Sequence, residues 1–79
     1  MALGQYLREK RKNNKITLVE LAEKTGLSQP YLSQVEKGNR NLQPEKLRKL
    51  STELKVSYLE LMIQAGYLTE EDLTEGAVE

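Results

Sequence analysis

The sequence predicts an all-α domain of five helices followed by a short helical extension. Three observations carry that prediction. Apolar residues recur at helical spacing along the chain, and no run alternates with period two for long enough to propose a strand. Helix start and stop signals punctuate the chain at short intervals. With 79 residues and neither cysteine nor histidine, the chain supports one small core, held by helix packing and caps rather than by disulfides or zinc.

The first helix is expected over residues 2–13, with Leu3 and Leu7 on one face and Arg11 next along the same stripe, before the polar break Asn13-Asn14-Lys15. The second covers about 17–25. Thr17 is its N-cap, and Glu20 stands three residues later where a capping box needs it. Leu18, Leu21 and Ala22 form its inner face, and Gly26 ends it as a left-handed glycine would. The third helix covers about 28–37, from the cap Ser28 to Gly38, with Leu32 and Val35 pointing inward. Pro30 falls in its first turn, where a missing N–H costs nothing because early amides lack an intrahelical acceptor.

The following loop, "NRNLQ", holds one apolar anchor, Leu42. A fourth helix starts at Pro44 and carries Leu47, Leu50 and Leu54 on one side. The fifth has a capping box in Ser57 and Glu60 and runs to about Ala65, before Gly66. These elements assign residues 1–66 to the domain and 67–79 to an acidic extension. In the extension Thr69 can cap one short helix, and the last residues, "TEGAVE", are expected to fray.

Several function classes are excluded by composition. The five glycines, at 4, 26, 38, 66 and 76, write neither a dinucleotide-binding nor a P-loop signature. No catalytic constellation, metal site, inducer pocket or cofactor site can be assembled, so the chain reads as non-enzymatic. It has neither a signal-peptide run nor a membrane-spanning stretch, and it is expected in the cytoplasm with no membrane partner.

The formal net charge is zero, but the sum hides an asymmetry. Residues 1–50 carry eleven of the twelve Lys and Arg against five acids, a balance of +6, whereas 51–79 carry Lys55 against seven acids, a balance of −6. Two readings compete: a basic binding surface with an acidic tail, or an ordinary solvated surface whose charges segregate.

The second and third helices, joined at Gly26 and Leu27, have the spacing of a helix-turn-helix. In that motif the second helix can lie in a DNA major groove while the first crosses the backbone. Ala22 is small where two helices must cross, and Leu32 and Val35 clamp the third helix to the core. A plain helical hairpin in a small bundle is the competing reading of the same pattern.

The stretches "TLVELAEKTGLSQPYLSQVEKGNRN" and "LQPEKLRKLSTELKVSYLELM" resemble the Cro/C1-type helix-turn-helix regulators, over about residues 4–63. That family includes phage repressors and many bacterial transcription factors. The resemblance implies a five-helix, phage-repressor-like DNA-binding domain whose third helix reads double-stranded DNA. It places Ser28, Gln29, Pro30, Ser33 and Gln34 on the outward face. Gln29 and Gln34 offer amides to base edges, Ser33 a donor and acceptor, and Pro30 only apolar contact. DNA-backbone contacts fall to Thr17 and Leu18 at the start of the second helix, where free amides and the dipole favour an anion, and to Asn39, Arg40 and Asn41. Ser28 and the Tyr31 hydroxyl are further backbone candidates, although core packing is the leading role for Tyr31. Many family members have glutamine where this chain has Leu18, so that side-chain role is lost here. The resemblance also implies a structural ion pair between Arg11 and Glu36.

The fifth helix is apolar on two sides. Tyr58, Leu61, Met62 and Ala65 match the family's core stripe, while Leu59 and Ile63, with Tyr67 beyond, form a second stripe that needs a cover. Either the tail folds back with Leu68 and Leu73, or a second subunit supplies it, and the dimer is favoured because one such motif makes few base contacts. The expectation is a homodimeric repressor on a pseudo-palindromic operator. The alternative is a protein-interaction module, such as an antitoxin or adaptor, or a target of an anti-repressor, using the apolar face of the fifth helix.

Overall fold

The computed structural model describes residues 3–72, and within them the chain is helical with no strand. Five helices follow in order: α1 (Leu3–Asn13), α2 (Leu18–Thr25), α3 (Gln29–Glu36), α4 (Pro44–Leu54) and α5 (Tyr58–Gln64). A further helical turn begins at residue 70. The positions expected at Ala2, for the first turn of α1, and at Leu73, for a folded-back tail, lie outside the described residues.

Local chemistry accounts for most boundaries. Thr17 Oγ1 accepts from the Glu20 amide at 3.1 Å while the Glu20 carboxylate accepts from the Thr17 amide at 3.1 Å, a complete capping box. Gly26 ends α2 at φ 76°, the left-handed conformation that a β-carbon disfavours. Ser28 caps α3 by accepting from the Tyr31 amide, and Pro30 sits in the first turn. Ser57 caps α5 through the Glu60 amide, but the second half of the expected box does not form there. The Glu60 carboxylate accepts from the Gln64 side chain at 3.0 Å, one turn along the same helix. Thr69 and Asp72 form a reciprocal pair at the start of the last turn. Lys55 ends α4 in the left-handed region at φ 57° without a glycine.

The core is built from nearly one residue type. Nine leucines and Val35 are the largest fully buried side chains, drawn from all five helices and from the α3–α4 loop through Leu42. Each such burial is worth roughly 1.5–3 kcal/mol, which is how a domain of this size offsets its chain entropy without cross-links. Two polar devices tie the leucine core together. Asn14, after α1, donates to the last carbonyls of α1 and α4, Lys10 O at 2.8 Å and Leu54 O at 3.0 Å. Thr25 is buried, its hydroxyl donating to Leu21 O at 2.8 Å.

Helix α1 seats directly on the end of α3. A β-carbon at Gly4 would lie 2.4 Å from the carbonyl oxygen of Val35 and 2.6 Å from that of Glu36. The absence of a side chain therefore lets two backbones touch. Arg11, two turns further along α1, reaches Glu36 from the same side. These contacts fix how α3 is presented. No described helix is long and apolar enough to cross a membrane.

Candidate nucleic-acid interface

Helix α3 is amphipathic in a restricted sense. Leu32 and Val35 are fully buried and hold it to the core, and Gln29, Pro30 and Gln34 are exposed on its other side. Ser33 is half-buried, so less of it is presented than the outward assignment implied. Ser28 is exposed, but its hydroxyl oxygen is taken by the Tyr31 amide. Pro30 stands at a position whose N–H would have no intrahelical acceptor, so the outer surface loses a donor while the helix keeps its bonds.

Gln34 is not a free rotor. Its Oε1 accepts from Asn39 Nδ2 at 2.9 Å, which fixes the orientation of the amide and leaves its Nε2 donors directed away from Asn39. Asn39, which the sequence assigned to a backbone contact, thus also orients the Gln34 amide. Gln29 has no such restraint among the described hydrogen bonds.

Tyr31 Oη donates to the Asn41 carbonyl at 3.1 Å, which commits the single hydroxyl proton inside the protein. Its ring is half-buried against the core, with the Arg40 guanidinium 5.8 Å and the Lys46 ammonium 5.2 Å from the ring centroid. Lys46 was absent from the residues singled out in the sequence; it stands in the first turn of α4, and only the fold brings it to α3. Asn41 is also spent internally. Its Nδ2 donates to Ala65 O at 3.0 Å, capping the end of α5.

The start of α2 presents the amides of Leu18 and Val19 at a helix N-terminus, where backbone donors have no intrahelical acceptors. The Leu18 side chain turns inward and packs on the core, and Thr17 is engaged in the capping box. That box puts the Glu20 carboxylate at the same helix end. Hydrogen bonds from Thr17, backbone first and side chain second, hold the Glu20 pKa below its ordinary value. An incoming anion at α2 therefore meets a resident one.

Elsewhere the surface carries fewer directed groups. Leu59 and Tyr67 are exposed to 47% and 42%, and Ile63 is half-buried, so the second stripe of α5 is uncovered by the described residues. The Tyr67 hydroxyl is nonetheless bound, donating to Leu42 O at 2.8 Å. Leu68 is half-buried. An open cleft of about 210 Å³ between α1 and α5 is lined by Gln5, Tyr6, Glu9 and Gln64, without a nucleophile–base pair. Burial, and secondarily the charge of Glu60, raise the Tyr6 pKa further above its usual range.

Two helices joined at a left-handed glycine, the second buried on one side and polar on the other, define a helix-turn-helix domain. The chain belongs to the helix-turn-helix family, whose profile matches residues 7–61. It is similar to the HTH-type transcriptional repressor RghR of Bacillus subtilis, 37% identical over 70 residues that cover 87% of this chain and 52% of that protein. Among solved structures it resembles SinR, the master regulator for biofilm formation from Bacillus subtilis, in complex with DNA. That likeness has 38% identity and a TM-score of 0.71, covering 76% of this chain and 97% of the other. The SinR–SinI protein complex gives 34% identity and a TM-score of 0.72 over 96% of this chain and 78% of that one. The chain spans about half the length of the curated relatives it matches.

Proposed function

We propose that this chain is the DNA-binding part of a transcription regulator, with α3 lying in the major groove of double-stranded DNA. The observation that carries the reading is the composition of α3: its exposed side holds Gln29, Pro30 and Gln34, which serve no packing purpose, and Arg40 and Lys46 stand beside it. Gln29 and Gln34 read base edges, with Pro30 and Ser33 alongside. Arg40, the free amide of Leu18, and the loop at Asn39 and Asn41 lie along the sugar-phosphate backbone, whereas the Thr17 amide is held by Glu20. The likeness to a repressor and to a regulator in complex with DNA supports the assignment.

In this reading residues 1–66 form the DNA-binding unit and 67–79 an acidic extension. The unit acts non-catalytically, as a repressor that occludes a pseudo-palindromic operator. Two copies pair through Leu59, Ile63 and Tyr67 and set two α3 helices about 34 Å apart, one turn of DNA. The same exposed stripe favours a second reading, in which α5 docks a different protein. A neighbour in complex with a protein partner makes that a specific alternative.

Selection of bound duplexes from a random pool at two salt concentrations tests the proposal. A recovered palindrome whose affinity falls steeply with salt is the expected result. An unenriched pool would overturn it, and in that case the α5 stripe becomes the surface to pursue.

A further inference from the structure

We infer that Tyr31 is the scaffold of a phosphodiester clamp, holding Arg40 and Lys46 in place for one segment of the DNA backbone. The inference rests on the reading of α3 as the groove-binding helix. Four features of the structure carry it. Tyr31 is anchored at both ends, by its half-buried ring against the core and by its hydroxyl on Asn41 O at 3.1 Å. The electron-rich ring draws two cations from different elements, Arg40 of the loop at 5.8 Å and Lys46 of α4 at 5.2 Å. Among the described residues neither cation forms an ion pair, in contrast to Arg11 with Glu36. Both cations stand by one ring, 5.8 and 5.2 Å from its centroid, and together raise a local positive potential that an anion relieves.

The clamp separates two roles that a surface tyrosine could play. Its hydroxyl proton is already donated to Asn41, so Tyr31 supplies a platform and not a phosphate donor. It is a positioning residue, and the binding charges belong to Arg40 and Lys46. Ordering two long side chains in the free protein lowers the entropy lost on binding. The effect is independent of base sequence, because every duplex presents the same backbone.

The test uses the full chain with the duplex recovered by selection and a scrambled duplex of equal length. Affinity is measured over a salt series for wild type, Tyr31→Phe, Tyr31→Leu, Lys46→Gln, the Arg40→Gln/Lys46→Gln pair, and that pair combined with Tyr31→Leu. Tyr31→Phe keeps the ring and binds within about twofold of wild type, whereas Tyr31→Leu weakens both duplexes roughly three- to tenfold. Lys46→Gln lowers the slope of log affinity against log salt by about 0.9, and the pair by about 1.8. In the doubly substituted background Tyr31→Leu has no further effect on binding. Circular dichroism at the assay temperature establishes that each variant is folded.

Loss from Tyr31→Phe equal to that from Tyr31→Leu would make the hydroxyl the ligand and overturn the clamp. An unchanged salt slope in Lys46→Gln would do the same. So would an equal Tyr31→Leu loss in both backgrounds, which marks a purely structural residue. Failure of the wild type to bind either duplex counts against the DNA-binding reading itself; a wild type that binds with any of the preceding results leaves that reading standing and removes the clamp alone.

Discussion

Arg11 and Glu36 meet across the α1–α3 contact in a two-pronged ion pair, Nε donating to Oε2 at 2.8 Å and Nη2 to Oε1 at 3.1 Å. A third donor of the same guanidinium, Nη1, reaches Ile16 O at 3.1 Å. One side chain thus joins α1, the α1–α2 connection and the last residue of α3. The hydrogen bond that Arg11 donates to Glu36 raises the Arg11 pKa, against the opposing effect of burial. With side chains only 13% and 10% exposed, the pair matters most when one member is removed.

Glu36→Ala is therefore expected to destabilise the domain by about 2–3 kcal/mol, because it strands a partly buried guanidinium. Base preference of the folded variant is expected to be unchanged. Urea unfolding, combined with binding to selected and altered duplexes, checks both halves. Unaltered stability would show that the pair is incidental.

Gly4→Ala is expected to cost about 1–3 kcal/mol, an overpacking penalty. The added carbon meets the carbonyls of Val35 and Glu36 at under 3 Å, and these are backbone atoms that cannot swing away. Alanine favours helix over glycine by roughly 1 kcal/mol, so a measured gain in thermal midpoint would mean that α1 shifts freely on α3.

The division of labour at the interface predicts opposite patterns for two kinds of substitution. Gln29→Ala relaxes preference at particular base pairs by about 1–3 kcal/mol of discrimination, whereas Arg40→Ala weakens all duplexes alike. Asn39→Ala frees the Gln34 amide, and is expected to relax preference where Gln34 reads while leaving the salt slope within about 0.3 of wild type. Binding profiles over single-base variants distinguish these outcomes. Equal losses on every duplex from Gln29→Ala and Arg40→Ala would refute the assignment.

The lowered pKa of Glu20 predicts an acid-dependent contribution to stability. A carboxylate whose folded pKa is depressed stabilises the fold above its unfolded value and loses that contribution as pH falls through the folded one. The advantage of wild type over Glu20→Ala in thermal midpoint is thus full near pH 7 and shrinks below the ordinary value of 4.5. A gap that stays constant down to pH 3 would assign the cap to the neutral hydrogen bond alone.

Helix limits were legible in the sequence wherever a signal was local. Thr17 with Glu20, Ser28 with Pro30, and Gly26 each act within a few residues, so their spacing identifies them. Leu32 and Val35 were legible as the inner side of α3 for the same reason, and the Arg11–Glu36 partnership came from the family resemblance. What stayed hidden depends on the fold. Gly4 looks like a poor helix residue until α3 lies across it, and nothing near Lys46 in sequence announces Tyr31. Asn41 was assigned outward with its polar neighbours, yet its partner is the carbonyl of Ala65. Glu60 stood correctly for a capping box and still turned to Gln64. The end of α4 had no local signal either, since Lys55 closes it in the left-handed region where glycine is the usual residue.

The α3–α4 loop is fastened to the residues that follow α5 by two bonds, Asn41 Nδ2 to Ala65 O and Tyr67 Oη to Leu42 O. The residues that follow α5 therefore act as the abutment for the loop beside α3. A displacement at 65–67 must break a bond or carry residues 41 and 42 with it, and Asn41 in turn holds Tyr31. The end of α5 and the first turn of α3, distant in the chain, thus share one mechanical linkage.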